Sequence, residues 1–200
     1  MAQFLKAFAR TWATRELRGL SAVWLVAFAA ALAAWRDLPA QTAPAQEYQL
    51  KAVFLFNFAQ FVDWPPEAVP DSQAPLVIGL LGGDPFGDFL DATVRGERRG
   101  SRPFAVQRYE RVEDISRCDI LFISRSAGDR PEEILARLKN RPILTVSDAE
   151  RFVERGGMIR FVTDRSRIRL QINPEAAEAA HLTISSKLLR VAEVITPTGR

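Results

Sequence analysis

The sequence predicts an α/β fold, a three-layer sandwich with a mostly parallel sheet, one antiparallel hairpin at its edge and helices on both faces. Two observations predict it. Short apolar runs of strand length, Leu76 to Leu81 (LVIGLL), Asp119 to Ser124 (DILFIS) and Pro142 to Ser147, alternate with helical segments. Strands separated by helices imply crossover connections, and hence parallel neighbours. Near the C-terminus the pattern changes to two strand-like segments, Met158 to Val162 and Ile168 to Ile172, around Thr163-Asp164-Arg165-Ser166, which reads as a hairpin.

The elements follow in chain order. Arg10, Arg15 and Arg18 precede an uncharged apolar run from Leu20 to Ala34, which Arg36 and Asp37 end. The run falls short of the roughly 20 residues of a spanning helix, so residues 1–45 read as a cleavable export signal and linker. Ala43-Pro44-Ala45 supplies the small-x-small pattern for cleavage before Gln46, with Leu38-Pro39-Ala40 as a second cut and an uncleaved anchor as the alternative. Residues 46–200 then form a single domain, expected to be exported. The leader also carries the excess charge. The whole chain has 27 basic and 24 acidic residues, and removing residues 1–45 leaves 22 of each, which removes the argument for nucleic acid.

Glu47 to Trp64 contains no helix breaker and ends at Pro65-Pro66, so it reads as one helix. After the strand at Leu76, Asp84-Pro85 looks like a helix cap opening a helix through Thr93. Phe104 to Tyr109 alternates like a strand. Val112 to Arg117 is a short helix or turn, Pro131 to Lys139 a helix, and Ala149 to Glu154 a helical turn. Two helices close the chain, Pro174 to Ala180 and roughly Ser185 to Ile195. Ile184, Leu188, Val191 and Ile195 form an apolar stripe along the latter.

No catalytic constellation stands out. Gly82-Gly83-Asp84-Pro85-Phe86-Gly87 lacks the spacing of a dinucleotide loop, and its aspartates would repel phosphate, so it reads as a tight turn. Ser185-Ser186-Lys187 lacks the S-x-x-K spacing and reads as a cap. With one histidine, His181, and one cysteine, Cys118, neither a thiol dyad nor a His/Cys metal site is expected. Cys118 opens an apolar strand, where a buried, inert thiol is the ordinary outcome. No cofactor and no enzymatic activity are expected.

The helix at 47–64 is the most informative segment. At 100° per residue, Phe54, Leu55, Phe58, Phe61 and Val62 share one face, which must be core. Lys51 lies within that face and is expected to snorkel outward. The opposite stripe carries Gln49, Gln60 and Asp63 with Val53 and Phe56 among them. Apolar residues within a polar stripe suggest contact with another layer or a partner, and Val53, Phe56 and Gln60 are the candidate partner-binding residues.

Several stretches together resemble one family. The pattern Tyr48, Lys51, Ala52, Phe54, Leu55, Asn57, Phe58, Phe61, Trp64, Pro65 is followed by LVIGLLGGDPFGD, CDILFIS, ILTVSD at 143–148, GGMIRF at 156–161, Ile172-Asn173 and Ile184-Ser185-Ser186-Lys187-Leu188-Leu189. These resemble the YfiR family of periplasmic proteins, in matching order over essentially the whole chain after the leader. The resemblance implies a regulator that represses an inner-membrane diguanylate cyclase by binding its periplasmic part. An OmpA-like outer-membrane lipoprotein would relieve that repression, and rising cyclic di-GMP would favour biofilm. A second copy of the chain is a further candidate partner. Family members of this kind carry disulfides, whereas Cys118 has no partner in this chain, which argues against redox control through an intrachain bridge. The alternatives are regulation of a histidine kinase or receptor, and a periplasmic small-ligand sensor. A sensor would use the carboxyl ends of the strands, near Gly82–Asp84, Ser124–Ser126 and Ser147–Asp148. A hydrolase is the least favoured reading, because no Ser/His/acid order is present.

Overall fold

The computed structural model describes residues 43–68, 71, 73–127, 131–165 and 167–196, all within the compact unit Thr42–Arg200. Of the expected leader, all but residues 43–45 lies outside the described residues. The first helix, α1 (Ala43–Phe58), has Pro44 in its first turn, where the missing N–H leaves no hydrogen bond unmade. It is shorter at its C-terminus than its sequence suggests. Gln60 and Phe61 donate to the carbonyls of Asn57 and Phe58, three residues back, which tightens and stops the helix. Val62–Asp63 then forms strand β1, antiparallel to Thr183–Ile184 in a separate two-stranded sheet. This long-range pairing overrides the helical preference of the segment.

The main sheet contains β2 (Leu76–Leu81), β3 (Arg98–Arg99), β4 (Arg102–Tyr109), β5 (Ile120–Ile123), β6 (Leu144–Ser147), β7 (Ile159–Asp164), β8 (Arg167–Ile172) and β10 (Glu193–Val194), the short strand Thr183–Ile184 being β9. Their order is β10-β8-β7-β6-β5-β2-β4-β3. From β4 to β7 every pairing is parallel, as expected. The hairpin is present, with Asp164 opposite Arg167, so its strands run further into the turn than the sequence suggested. It is not the edge. β10 pairs in parallel outside β8, and the two-residue β3 pairs antiparallel outside β4.

Helices lie on both faces. On one face α1, α2 (Asp88–Val94), α4 (Pro174–Ala179) and α5 (Ser186–Leu189) cover Leu76, Ile78, Leu80, Ile120, Phe122, Leu144, Val146, Ile159, Phe161, Leu170 and Ile172. On the other, α3 (Pro131–Arg137) and the turns at 150–156 cover Leu81, Tyr109, Cys118, Leu121 and Ile123. Gly79 faces this second layer. A Cβ there would lie 2.7 Å from Cys118 Sγ and 2.9 Å from Tyr109 Cε2, so only glycine fits.

Local chemistry explains the remaining boundaries. Asp84 does not open α2. Its Oδ1 accepts from the Phe86 and Gly87 amides and makes a turn instead, and the helix begins at Asp88. Asn173 caps α4, accepting from the Ala176 amide ahead of Pro174. Ser185 caps α5 through the Lys187 amide. The expected helical turn at 149–154 is a set of hydrogen-bonded turns, with Arg151 in the left-handed region at φ 55°. The last helix stops at Leu189, not near Ile195. Val191, assigned to its apolar stripe, is 76% exposed, while the Ile195 amide donates to the Ile172 carbonyl as β10 docks on β8. No helix among the described residues is long and apolar enough to cross a membrane.

Candidate functional site

In an open sheet the crevice for a ligand lies beyond the carboxyl ends of the strands, where connections diverge. Here that point falls between β2 and β5, since the chain leaves β2 for β4 on one side and β5 for β6 on the other. The three loops singled out in the sequence do meet there. The Gly83 amide donates to Ser126 Oγ at 2.8 Å, and Ser124 Oγ lies 3.1 Å from Ser126 Oγ. The loop fills the crevice itself: a Cβ on Gly82, at φ 86°, would lie 2.8 Å from the backbone of Ala127. The remaining space is a cavity of about 390 Å³ beside it, lined by Ser124, Arg125, Pro131, Ser147, Glu150 and Arg155.

Against these loops packs the first half of α1, and it brings a buried ionic cluster. Lys51 does not snorkel. It is fully buried, with its Nζ 2.6 Å from Asp148 Oδ2 and 2.5 Å from Glu47 Oε1. Tyr48 donates its hydroxyl to the same Asp148 oxygen at 2.8 Å, and its ring lies 4.3 Å from the ammonium. Arg125 reaches over from the β5 loop. Its Nε and Nη2 donate to the Asp148 carbonyl, and Nε lies 3.3 Å from Asp148 Oδ1, a buried oxygen that receives no hydrogen bond. Thr163 of β7 donates to Glu47. A lysine removed from water is tolerated only when paired and hydrogen-bonded, and this one has two carboxylates. The cluster therefore ties α1 to the ends of β5, β6 and β7.

Its protonation follows from the contacts. Burial pushes the Asp148 carboxyl upward, but Lys51, Tyr48 and Arg125 outweigh burial and hold it below its ordinary range. Glu47 is likewise opposed by burial and held down on balance by Lys51 and Thr163. Burial and Asp148 raise Tyr48. On the other face, burial pushes Cys118 up to about 12, so this thiol is protonated and shielded. His181 is exposed at the end of α4, across the sheet from Cys118, so the two form no dyad. Every displaced group in this cluster moves away from neutrality, which suits an ionic clasp rather than proton transfer. Because Asp148 and Glu47 are depressed, the stability they contribute is complete above their unfolded values and is lost as pH falls through the folded ones. Acid unfolding is expected to set in below about pH 4, and Asp148→Asn is expected to flatten that dependence in a pH series of urea titrations.

Of the candidate partner residues, Val53 and Phe56 lie elsewhere on α1 and Gln60 lies in the turn that follows it. Val53 is 38% exposed and Gln60 is exposed, while Phe56 is half-buried with its ring 5.0 Å from Phe104. Leu50, one turn before Val53, is 45% exposed and was not singled out from the sequence. The buried face is narrower than the wheel suggested, formed by Lys51, Ala52, Leu55 and Phe58, with Phe54 half-buried.

Comparison with known proteins places the chain in a family. The model of the YfiR/HmsC-like family matches residues 48–193, most of the chain. The chain belongs to the YfiR/HmsC-like family. The match begins at Tyr48, so Tyr48, Lys51, Arg125 and Asp148 of the clasp lie within the YfiR/HmsC-like region and Glu47 lies just before it. No curated protein matches the chain. Among solved structures, the ABC domain in complex with L-Trp from Streptococcus pneumoniae is 14% identical with a TM-score of 0.49, over 74% of this chain and 60% of that one. A conserved domain protein from Vibrio cholerae is 15% identical with a TM-score of 0.43, over 64% of this chain and 56% of that one. The chain thus spans a little over half the length of each.

Proposed function

We propose that this protein is a periplasmic regulator, without catalysis of its own, that represses an inner-membrane diguanylate cyclase by binding the cyclase's periplasmic part. Family membership over residues 48–193 is the observation that carries this reading. Export by residues 1–45 would deliver the domain to the compartment where that partner is exposed. Two features of the fold support a binding role. Glu47, Tyr48 and Asp148 of the clasp are each shifted away from neutral pH, and apolar side chains stay exposed on adjoining helices, Leu50 and Val53 on α1 and Phe89 on α2. An OmpA-like lipoprotein would relieve repression by sequestering the same surface, and a homodimer through it would compete with both.

A pull-down from envelope extracts with residues 46–200 tests this. The expected catch is an inner-membrane protein with a cytoplasmic cyclase domain. Val53→Glu is expected to weaken capture about tenfold, the loss of one central apolar contact, while leaving the unfolding midpoint unchanged. Phe56→Glu is a poorer probe, because the ring packs on Phe104 and its loss also costs stability. Capture of a kinase or receptor instead would keep the regulator class and change the pathway. Recovery of nothing by a folded domain would contradict the proposal and favour the ligand-sensor reading, which rests on the 390 Å³ cavity at the strand ends.

A further inference from the structure

The two polar cavities at opposite ends of the sheet differ in charge balance. At the carboxyl ends, each arginine of the 390 Å³ cavity meets a carboxylate, Arg125 that of Asp148 and Arg155 that of Glu132 at 3.3 Å, and Glu150 adds a further negative charge. At the amino ends of β5 and β6, a second cavity of about 260 Å³ is lined by Ser116, Arg117, Cys118, Asp119, Asn140 and Arg141, among others. Its carboxylate is already spent. Asp119 is buried, with Oδ1 accepting from Arg102 at 2.7 Å and Oδ2 from the Val77 amide at 2.7 Å. Neither Arg117 nor Arg141 is ion-paired with a described carboxylate. Arg141 Nη2 is fixed by the carbonyls of Ile115 and Ser116, which aligns its guanidinium without neutralising it. Arg117 Nη2 is buried and has no hydrogen-bond partner at all.

Arg117 lines the cavity with no described carboxylate paired to it, so its positive charge is uncompensated there whichever of its nitrogens faces the space. Two uncompensated guanidiniums in one cavity favour an anion that can take hydrogen bonds in a fork, a carboxylate or a phosphate. Cys118, protonated, adds no opposing charge. We propose that this amino-end pocket is a binding site for a small oxyanion, a carboxylate or phosphate group held by Arg117 and Arg141 with Asn140 and Ser116 supplying further hydrogen bonds. The volume leaves room for a few carbon atoms beyond the anionic group. The site stands apart from the exposed apolar residues of α1, so it holds whether or not that helix docks on a cyclase.

Thermal unfolding of the purified protein in inorganic phosphate, succinate or chloride, at matched ionic strength, tests it. Phosphate, succinate or both are expected to raise Tm by about 2–4 °C over chloride at several-fold their Kd. Which of the two acts tells phosphoryl from carboxylate recognition. Arg117→Gln is expected to abolish the rise while leaving Tm in chloride at or above the parent value, since it removes an unpaired buried group. Should that variant fail to fold, Asn140→Gly takes its place, because it keeps the left-handed backbone at φ 64° and removes the side-chain amide. A smaller rise is then expected. Equal Tm in all three salts, or an undiminished rise in the variant, overturns the proposal.

Discussion

Lys51→Ala is expected to lower stability by about 3–5 kcal/mol, the cost of breaking a buried ion pair by removing one partner. The ammonium is the hub of the clasp, so its loss leaves Asp148, itself buried, with only the Tyr48 hydroxyl and the more distant Arg125. Glu47 is partly exposed and can turn to water, so the penalty falls on Asp148. Lys51→Met keeps the aliphatic stem and separates charge from cavity. If the ionic term dominates, Met is expected to be nearly as damaging as Ala, and adding Asp148→Asn to Lys51→Met recovers part of the loss. Urea unfolding midpoints of the three variants check this. Against a typical total of about 5–15 kcal/mol, Lys51→Ala removes a large share.

Asp119→Ala is expected to cost a similar amount, about 3–5 kcal/mol, through a second buried pair at the opposite end of the sheet. Arg102 would keep only the carbonyls of Ala74 and Pro75, and the Val77 amide would lose its acceptor where β2 begins. Asp119→Asn retains an acceptor for Val77 and is expected to lose less. Equal losses for Asn and Ala in the same urea titration would show that the charge, and not the amide contact, carries the effect.

The two clasps show where sequence reading stops. LVIGLL and DILFIS are legible as strands because a short, uninterrupted apolar run fits little else, and the hairpin is legible because Ile168, Leu170 and Ile172 alternate with Arg167, Arg169 and Gln171. What failed was set by contacts distant in sequence. Phe61 and Val62 look helical until Thr183–Ile184 pairs with the chain there, and Val191 falls on an apparent stripe only because the helix is assumed to continue. Lys51 was visible as an anomaly on an apolar helix face. A charge in that position needs a buried counter-ion, but no local signal points to Asp148, 97 residues on. Arg102 and Asp119 were passed over for the same reason. The loops at Gly82–Asp84, Ser124–Ser126 and Ser147–Asp148 were placed together correctly, because parallel topology alone dictates which loops share an end. That Ala127 fills the crevice between them depends on packing, which no pattern encodes.

The proposed repression of a diguanylate cyclase would act through the exposed apolar side of α1. Cellular cyclic di-GMP, measured in a strain lacking this protein and complemented with the parent chain or with Val53→Glu, tests it most directly. Expected are a rise on deletion, return to the starting level with the parent chain, and no return with Val53→Glu despite normal periplasmic abundance. Cyclic di-GMP that stays unchanged on deletion would contradict it.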